Sequence, residues 1–138
     1  MEPFILPALP NLETLKQFLR FGIVGGMGFV VDTTVVYLLL DPLGVYWAGA
    51  LAYPVAASFN WAINRIWTFR GKTAGSASAQ WGRFMAVNLL GFALNRGTYF
   101  ILVSISSFIA THPVFAVAAG AVAGMLVNFD LSRRLVFR

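Results

Sequence analysis

The chain has 138 residues, 59% hydrophobic and only 11% charged, with a mean hydropathy of +0.76 and a formal net charge of +5. A water-soluble domain carries about 25% charged residues, so the bilayer is the expected solvent, and the length leaves room for one membrane domain and no soluble one. The absence of cysteine excludes disulfides, thiolate metal centres and cysteine nucleophiles, and the single histidine, His112, excludes a histidine metal cluster within one chain.

The opening segment, MEPFILPALP, lacks a basic flank and contains three prolines, so it does not read as a cleavable signal. Residues 11–19 follow as a short amphipathic helix. Asn11 can cap it, and Leu12, Leu15, Phe18 and Leu19 share a face suited to a membrane surface. Four apolar stretches come next: 21–40 with Asp32 as its one charge, 43–64 with none, 84–110 with Arg96, and 113–129 with none. A spanning helix needs about 20 apolar residues, and the fourth stretch must extend into its polar end to reach that length. None alternates as a β-barrel strand does. Asp41-Pro42, the RGKTAGSASAQ segment at 70–80 and Thr111-His112-Pro113 separate the stretches.

The basic residues set the orientation. Lys16 and Arg20 precede the first stretch; Arg65, Arg70, Lys72 and Arg83 flank the central connection; Arg133, Arg134 and Arg138 end the chain. All basic residues except Arg96 therefore fall on one side, which places both termini and the central loop in the cytoplasm. The net charge then reads as a collar facing anionic lipid and needs no nucleic acid to explain it. Trp47, Trp61, Trp67 and Trp81 sit near span ends, as interfacial aromatic belts do.

The halves repeat. A shift of 63 brings Gln17 onto Gln80, Arg20-Phe21 onto Arg83-Phe84 and Gly28-Phe29 onto Gly91-Phe92; a shift of 68 brings Asn60 onto Asn128, Arg65 onto Arg133 and Phe69-Arg70 onto Phe137-Arg138. An even number of spans per copy keeps both copies in one orientation. The expected architecture is an all-α integral membrane protein, a single domain over 1–138. Its four transmembrane helices form two parallel-oriented helical-hairpin repeats (20–70 and 80–138) behind the interfacial helix at 11–19.

In each copy the second helix carries a ridge at spacing four: Ala48, Ala52, Ala56, Asn60 and Asn64, then Ala116, Gly120, Gly124, Asn128 and Ser132. Small residues at this spacing ordinarily mean close helix packing, with amides bonding across helices. The asparagines lie one turn from arginines and aromatics, which fits packing less comfortably. Pro54 removes one backbone hydrogen bond mid-span. Asp32 and Arg96 reach roughly 18–20 Å into the membrane at the helical rise. Each alone costs about 2.5–3.5 kcal/mol on insertion scales, so an intramembrane ion pair between them is expected, either fixing helix register or serving function. Asp130, near Arg133 and Arg134, suits interfacial pairing, and His112 marks the outer turn.

The segments RFGIVGGMGFVVD, NWAINRIWTFR, RFMAVNLLGFALN and NFDLSRRLVFR resemble the GtrA-like family of small four-span membrane proteins, over about residues 16–138. The resemblance implies handling of polyprenyl-phosphate-linked sugar, often glucose, at a bacterial cytoplasmic membrane, beside a glycosyltransferase and in service of cell-surface polysaccharide such as O-antigen. Ser132 and Asp130 depart from the symmetric pattern, where Asn64 and Ala62 are the counterparts. A polyprenyl phosphate needs cations at headgroup depth, which Arg65, Arg133 and Arg134 can supply, joined by Arg20 and Arg83. Sugar hydroxyls need amides, which Asn60, Asn64 and Asn128 can supply, with Trp61, Trp67 or Phe129 stacking on the ring.

Three readings stay open on the sequence: a lipid-linked-sugar flippase, a non-transporting membrane subunit that recruits or stabilises a glycosyltransferase, and a proton-coupled exporter of small cations that would depend on Asp32. Catalysis is not expected, since no carboxylate pair, nucleophile–base set or metal cluster is visible, and no cofactor is called for. Four short spans enclose little volume, so a homodimer is expected to widen the path.

Overall fold

A computed structural model describes residues 10–72, 75–112 and 114–138. The opening segment 1–9, and with it the expectation about a signal, lies outside the described residues, as do Thr73, Ala74 and Pro113 in two of the expected connections. Among the described residues all regular secondary structure is helical: α1 (Leu12–Ile63), a π-helical turn (Asn64–Thr68), α2 (Ala77–Ile105), the short α3 (Ser107–Thr111), α4 (Val114–Leu131) and a second π-helical turn (Ser132–Val136).

Local chemistry explains the boundaries. The Asn11 side chain accepts from the Thr14 N–H at 2.8 Å, and Ser76 and Ser106 cap α2 and α3 through their hydroxyls. The segment expected as a separate interfacial helix, 11–19, is instead the first turns of α1. No proline stands between Asn11 and Asp41 to stop the backbone. Pro42 stays within helical backbone, and the reversal comes at Gly44, whose φ of 78° and ψ of 167° only glycine adopts without strain. A Cβ on Gly28 would fall on the Asn60 amide. The two residues lie equally far in sequence from Gly44, so the arm 45–63 folds back antiparallel along the first arm.

Three helical stretches are long and apolar enough to cross a membrane: Leu12–Gly44, Ala77–Ile105 and Val114–Val136. The sequence leads one to expect four. The arm 45–63 is helical but not among the three, because Tyr53, Pro54, Ser58, Asn60 and Trp61 dilute its apolar character. The outward faces carry exposed Phe29, Leu38, Phe100, Ile105 and Val122, as lipid contact requires.

Inward, both small-residue ridges are buried: Ala48, Ala52, Ala56 and Asn64 on one side, Ala116, Gly120, Gly124 and Ser132 on the other. Without side chains at Gly120 and Gly124, α4 lies directly on the α2 backbone. A Cβ on Gly120 would stand 2.6 Å from the Asn95 carbonyl oxygen, and one on Gly124 would stand 2.9 Å from that of Gly91. The buried apolar cluster sits at the end that carries the arginines, hereafter the basic end. It comprises Phe21, Phe69, Phe84, Val87, Phe129, Val136 and Phe137. Phe69 and Phe137 stack with centroids 4.7 Å apart and planes within 13°. Phe21 meets Phe69 edge-on at 6.2 Å, and Phe84 meets Phe137 edge-on at 5.9 Å. Each such pair adds about 0.5–1.5 kcal/mol beyond burial.

Replacing Gly44 with alanine should cost about 1–3 kcal/mol of strain. The thermal transition of the purified protein in detergent should drop. Gly49→Ala, whose Cβ meets nothing within 4 Å, should leave it in place.

Candidate functional site

Two cavities flank the phenylalanine layer. The inner one, of about 520 Å³, lies between the first arm of α1, the returning arm, α2 and α4. Its walls are small because Gly22, Gly25, Gly26, Gly91 and Gly124 line it, and a Cβ on Gly25 or Gly26 would meet nothing within 4 Å. Its polar lining is Tyr53, Asn60, Asn64, Asn88, Asn95 and Asn128, with no charged side chain, and Phe21 and Phe84 form its floor. The buried Oδ1 atoms of Asn60, Asn64 and Asn128 and the Tyr53 hydroxyl have no hydrogen-bond partner. An unpartnered buried polar atom costs about 1–3 kcal/mol, so four beside one cavity mark a place for a guest bearing hydrogen-bonding groups.

The π-helical turns bring this about. Each ends on an i to i+5 hydrogen bond of 2.8 Å, from the Phe69 N–H to the Asn64 carbonyl and from the Phe137 N–H to the Ser132 carbonyl. The wider turn buries Asn64 and Ser132 and sends Phe69 and Phe137 into the stack. Asn60 and Asn128 press their amides against the bare backbones of Gly28 and Gly91, positions where any Cβ would collide.

The second cavity, about 810 Å³, opens at the basic end on the other side of the layer. Phe69 and Phe137 back it, and Arg70, Lys72, Arg133, Arg134 and Arg138 surround it. Arg134 is held by Asp130, Nε to Oδ1 at 2.7 Å, the one ion pair among the described residues.

The structure therefore divides the residues expected to form one site. Asn60, Asn64 and Asn128 converge on the inner cavity, while Arg133 and Arg134 line the outer cleft. Arg65 lies in neither. Its Nη1 donates to Gln80 Oε1 at 2.6 Å, and Trp61 donates to the same oxygen at 3.1 Å. Arg20 rests over the exposed Trp67 ring, 5.7 Å from its centroid. Arg83 lies beside the central connection, one guanidinium nitrogen 3.7 Å from where a Gly75 Cβ would stand. Trp61 and Trp67 are thus engaged with arginine and glutamine and line neither cavity. The expected Asp32–Arg96 ion pair does not form; Arg96 is exposed, its guanidinium 5.6 Å from the Phe92 centroid. Neither Asp32 nor Arg96 lines the cavity between their helices.

These arrangements fall within one recognisable unit, since the family described as GtrA/DPMS, transmembrane domain, matches residues 20–137. The chain belongs to this GtrA/DPMS family. No curated protein matches it significantly. Membership points to the handling of polyprenyl-phosphate sugars, and the GtrA/DPMS match takes in every residue that lines the inner cavity and both rings of the Phe69–Phe137 stack, while Asn11, Glu13, Thr14, Gln17 and Arg138 of the outer cleft lie beyond it.

Sequence reasoning passed over Tyr53, Asn88 and Asn95 in the inner cavity of the GtrA/DPMS domain, and Arg70, Lys72 and Arg138 as cleft residues. Asn95 was visible as the counterpart of Asp32, and Arg138 as that of Arg70. Gln80 was visible only as the repeat of Gln17. It proves to be a fully buried hub that accepts from Trp61 and Arg65 and donates to the carbonyls of Lys72 and Val136 at 3.1 and 3.4 Å. Gln17 borders the open cleft with no such bonds. Gln80→Leu should therefore destabilise the protein by at least about 1–3 kcal/mol, because it strands several buried groups. Gln17→Leu should stay within about 0.5 kcal/mol. Thermal unfolding of the two variants side by side checks this.

Proposed function

We propose that the protein flips a polyprenyl-phosphate-linked sugar, undecaprenyl phosphate glucose being the reading carried over from the family resemblance, across a bacterial cytoplasmic membrane for glycosylation of cell-surface polysaccharide. It acts as a transporter and not as an enzyme. In this reading the arm 45–63 serves as a fourth span, and the halves 20–70 and 80–138 act as parallel-oriented hairpin repeats. Both termini face the cytoplasm. The matched Gly28–Asn60 and Gly91–Asn128 contacts and the matched π-helical turns support the repeats. The gathering of arginines at one end supports the orientation.

The observation that carries the proposal is the inner cavity, where asparagine oxygens and a tyrosine hydroxyl lie buried without partners. Sugar hydroxyls both donate and accept, and amides complement them without charge. The glycine walls leave room for the ring, and the exposed apolar faces leave the prenyl tail in lipid. The arginines of the basic end, Arg133 and Arg134 in the cleft and Arg65, Arg20 and Arg83 outside it, draw the phosphate before the head passes the phenylalanine layer.

Reconstitution of the pure protein in liposomes with short-chain polyprenyl phosphate glucose tests this. Wild type should expose the lipid on the opposite leaflet faster than protein-free liposomes. Asn60→Ala with Asn128→Ala should slow this about tenfold or more. Gly26→Leu should do the same by filling open space, with the thermal transition retained. No acceleration by wild type would overturn transport and leave the second reading, a membrane subunit that docks a glycosyltransferase, which the open cationic cleft favours. We also propose a homodimer in the membrane, which would widen the path. Light scattering in detergent should give twice the 15.1 kDa chain mass, and a monomer mass would remove it.

A further inference from the structure

The outer cleft is not built like the inner cavity. Arg70, Lys72, Arg133, Arg134 and Arg138 line it against a single acid among the described residues, Glu13. Of these cations, Arg134 alone has an anionic partner among the described residues, Asp130. Arg70, Lys72, Arg133 and Arg138 make no ion pair or side-chain hydrogen bond among the described residues. Neutral partners are scarce: the Asn11 side chain is spent on capping α1, which leaves Thr14 and Gln17. The cleft offers concentrated positive charge with few groups for a sugar. The inner cavity offers amides with no charge, and Phe21, Phe69, Phe84 and Phe137 stand between the two.

We infer that the outer cleft is a separate site for a phosphate monoester. The distinction is one of charge. A sugar-bearing phosphodiester carries one negative charge, whereas a monoester carries about 1.5 to 2 at neutral pH and presents three strong acceptor oxygens. Guanidinium groups converging from the central connection and the chain end meet those oxygens with paired, charge-assisted bonds. A site rich in cations and poor in amides discriminates for the group with more charge and no sugar. Removing the sugar from a polyprenyl-phosphate sugar leaves such a monoester on the lipid. The cleft is then suited to the spent carrier, and the inner cavity to the loaded one. Naming the lipid as the source rests on the transport reading; the monoester site itself does not.

The test uses the full chain in nanodiscs of neutral phosphatidylcholine. The probes are a short-chain polyprenyl phosphate, its methyl ester, its glucosyl ester and inorganic phosphate. The monoester should bind at least about tenfold more tightly than the methyl ester, which keeps the chain and loses one charge. Arg70→Gln with Arg133→Gln, both exposed and outside any ion pair, should remove that preference while the thermal transition holds. Asn60→Ala with Asn128→Ala should leave monoester binding unchanged and weaken the glucosyl ester. Raised salt should weaken the monoester more than the methyl ester. Displacement by inorganic phosphate at equal concentration supports the site with a soluble occupant, and resistance to it supports the site with the lipid. Equal affinity for monoester and methyl ester overturns the inference. So does loss of monoester binding in the asparagine variant but not in the arginine variant. Failure of transport in liposomes with monoester selectivity intact would sink the transport reading alone.

Discussion

The stack of Phe69 on Phe137 joins the two halves of the chain at the one place where both π-helical turns arrive. Helices in lipid gain no hydrophobic driving force from meeting one another, so contact must come from close packing and directional pairs. The ring-on-ring contact and its edge-on neighbours Phe21 and Phe84 supply both. The wide i to i+5 turns are what aim the rings. A regular helical continuation through 64–68 or 132–136 would rotate Phe69 and Phe137 out of register and open the layer. The two cavities exist as separate compartments only because this layer is closed.

Polarity is sorted by the same layer. On one side, asparagine amides sit in a glycine-walled hollow with several oxygens unanswered. On the other, cations crowd an open cleft. Amides without charge suit hydroxyls, and guanidiniums without amides suit phosphate. A lipid-linked sugar carries both groups within a few bonds, so the protein presents complementary surfaces for its two parts but keeps them in separate compartments in this conformation.

The fold was legible where periodicity carried it. The spacing-four ridges through Ala48 to Asn64 and Ala116 to Ser132 are the buried faces that the small residues promised. That spacing put Asn60 and Asn64 on one face and Asn128 on the corresponding face of α4, and the inner cavity is where the two faces meet. What escaped reading was anything that depends on pairing between helices. Depth alone suggested joining Asp32 to Arg96, but depth says nothing of which way a side chain faces, and Arg96 lies exposed over Phe92. The turn at Gly44 hid behind the stronger break signal of Asp41-Pro42, because a proline tolerates helical φ while a positive φ leaves no mark in sequence beyond the glycine itself. The arginines were read as one group by their shared depth. Their partners, Gln80 for Arg65, Trp67 for Arg20 and Asp130 for Arg134, set them apart.

Gln80 and Gln17 occupy corresponding places, yet only Gln80 is fastened. Trp61 supplies an indole N–H to Gln80, while Phe129, its counterpart, has none to give. One half is therefore laced to the other through a buried amide, and the matching place carries no such lacing. Two halves that look alike in outline are unequally bonded, and a single chain acquires a built-in asymmetry from one indole nitrogen.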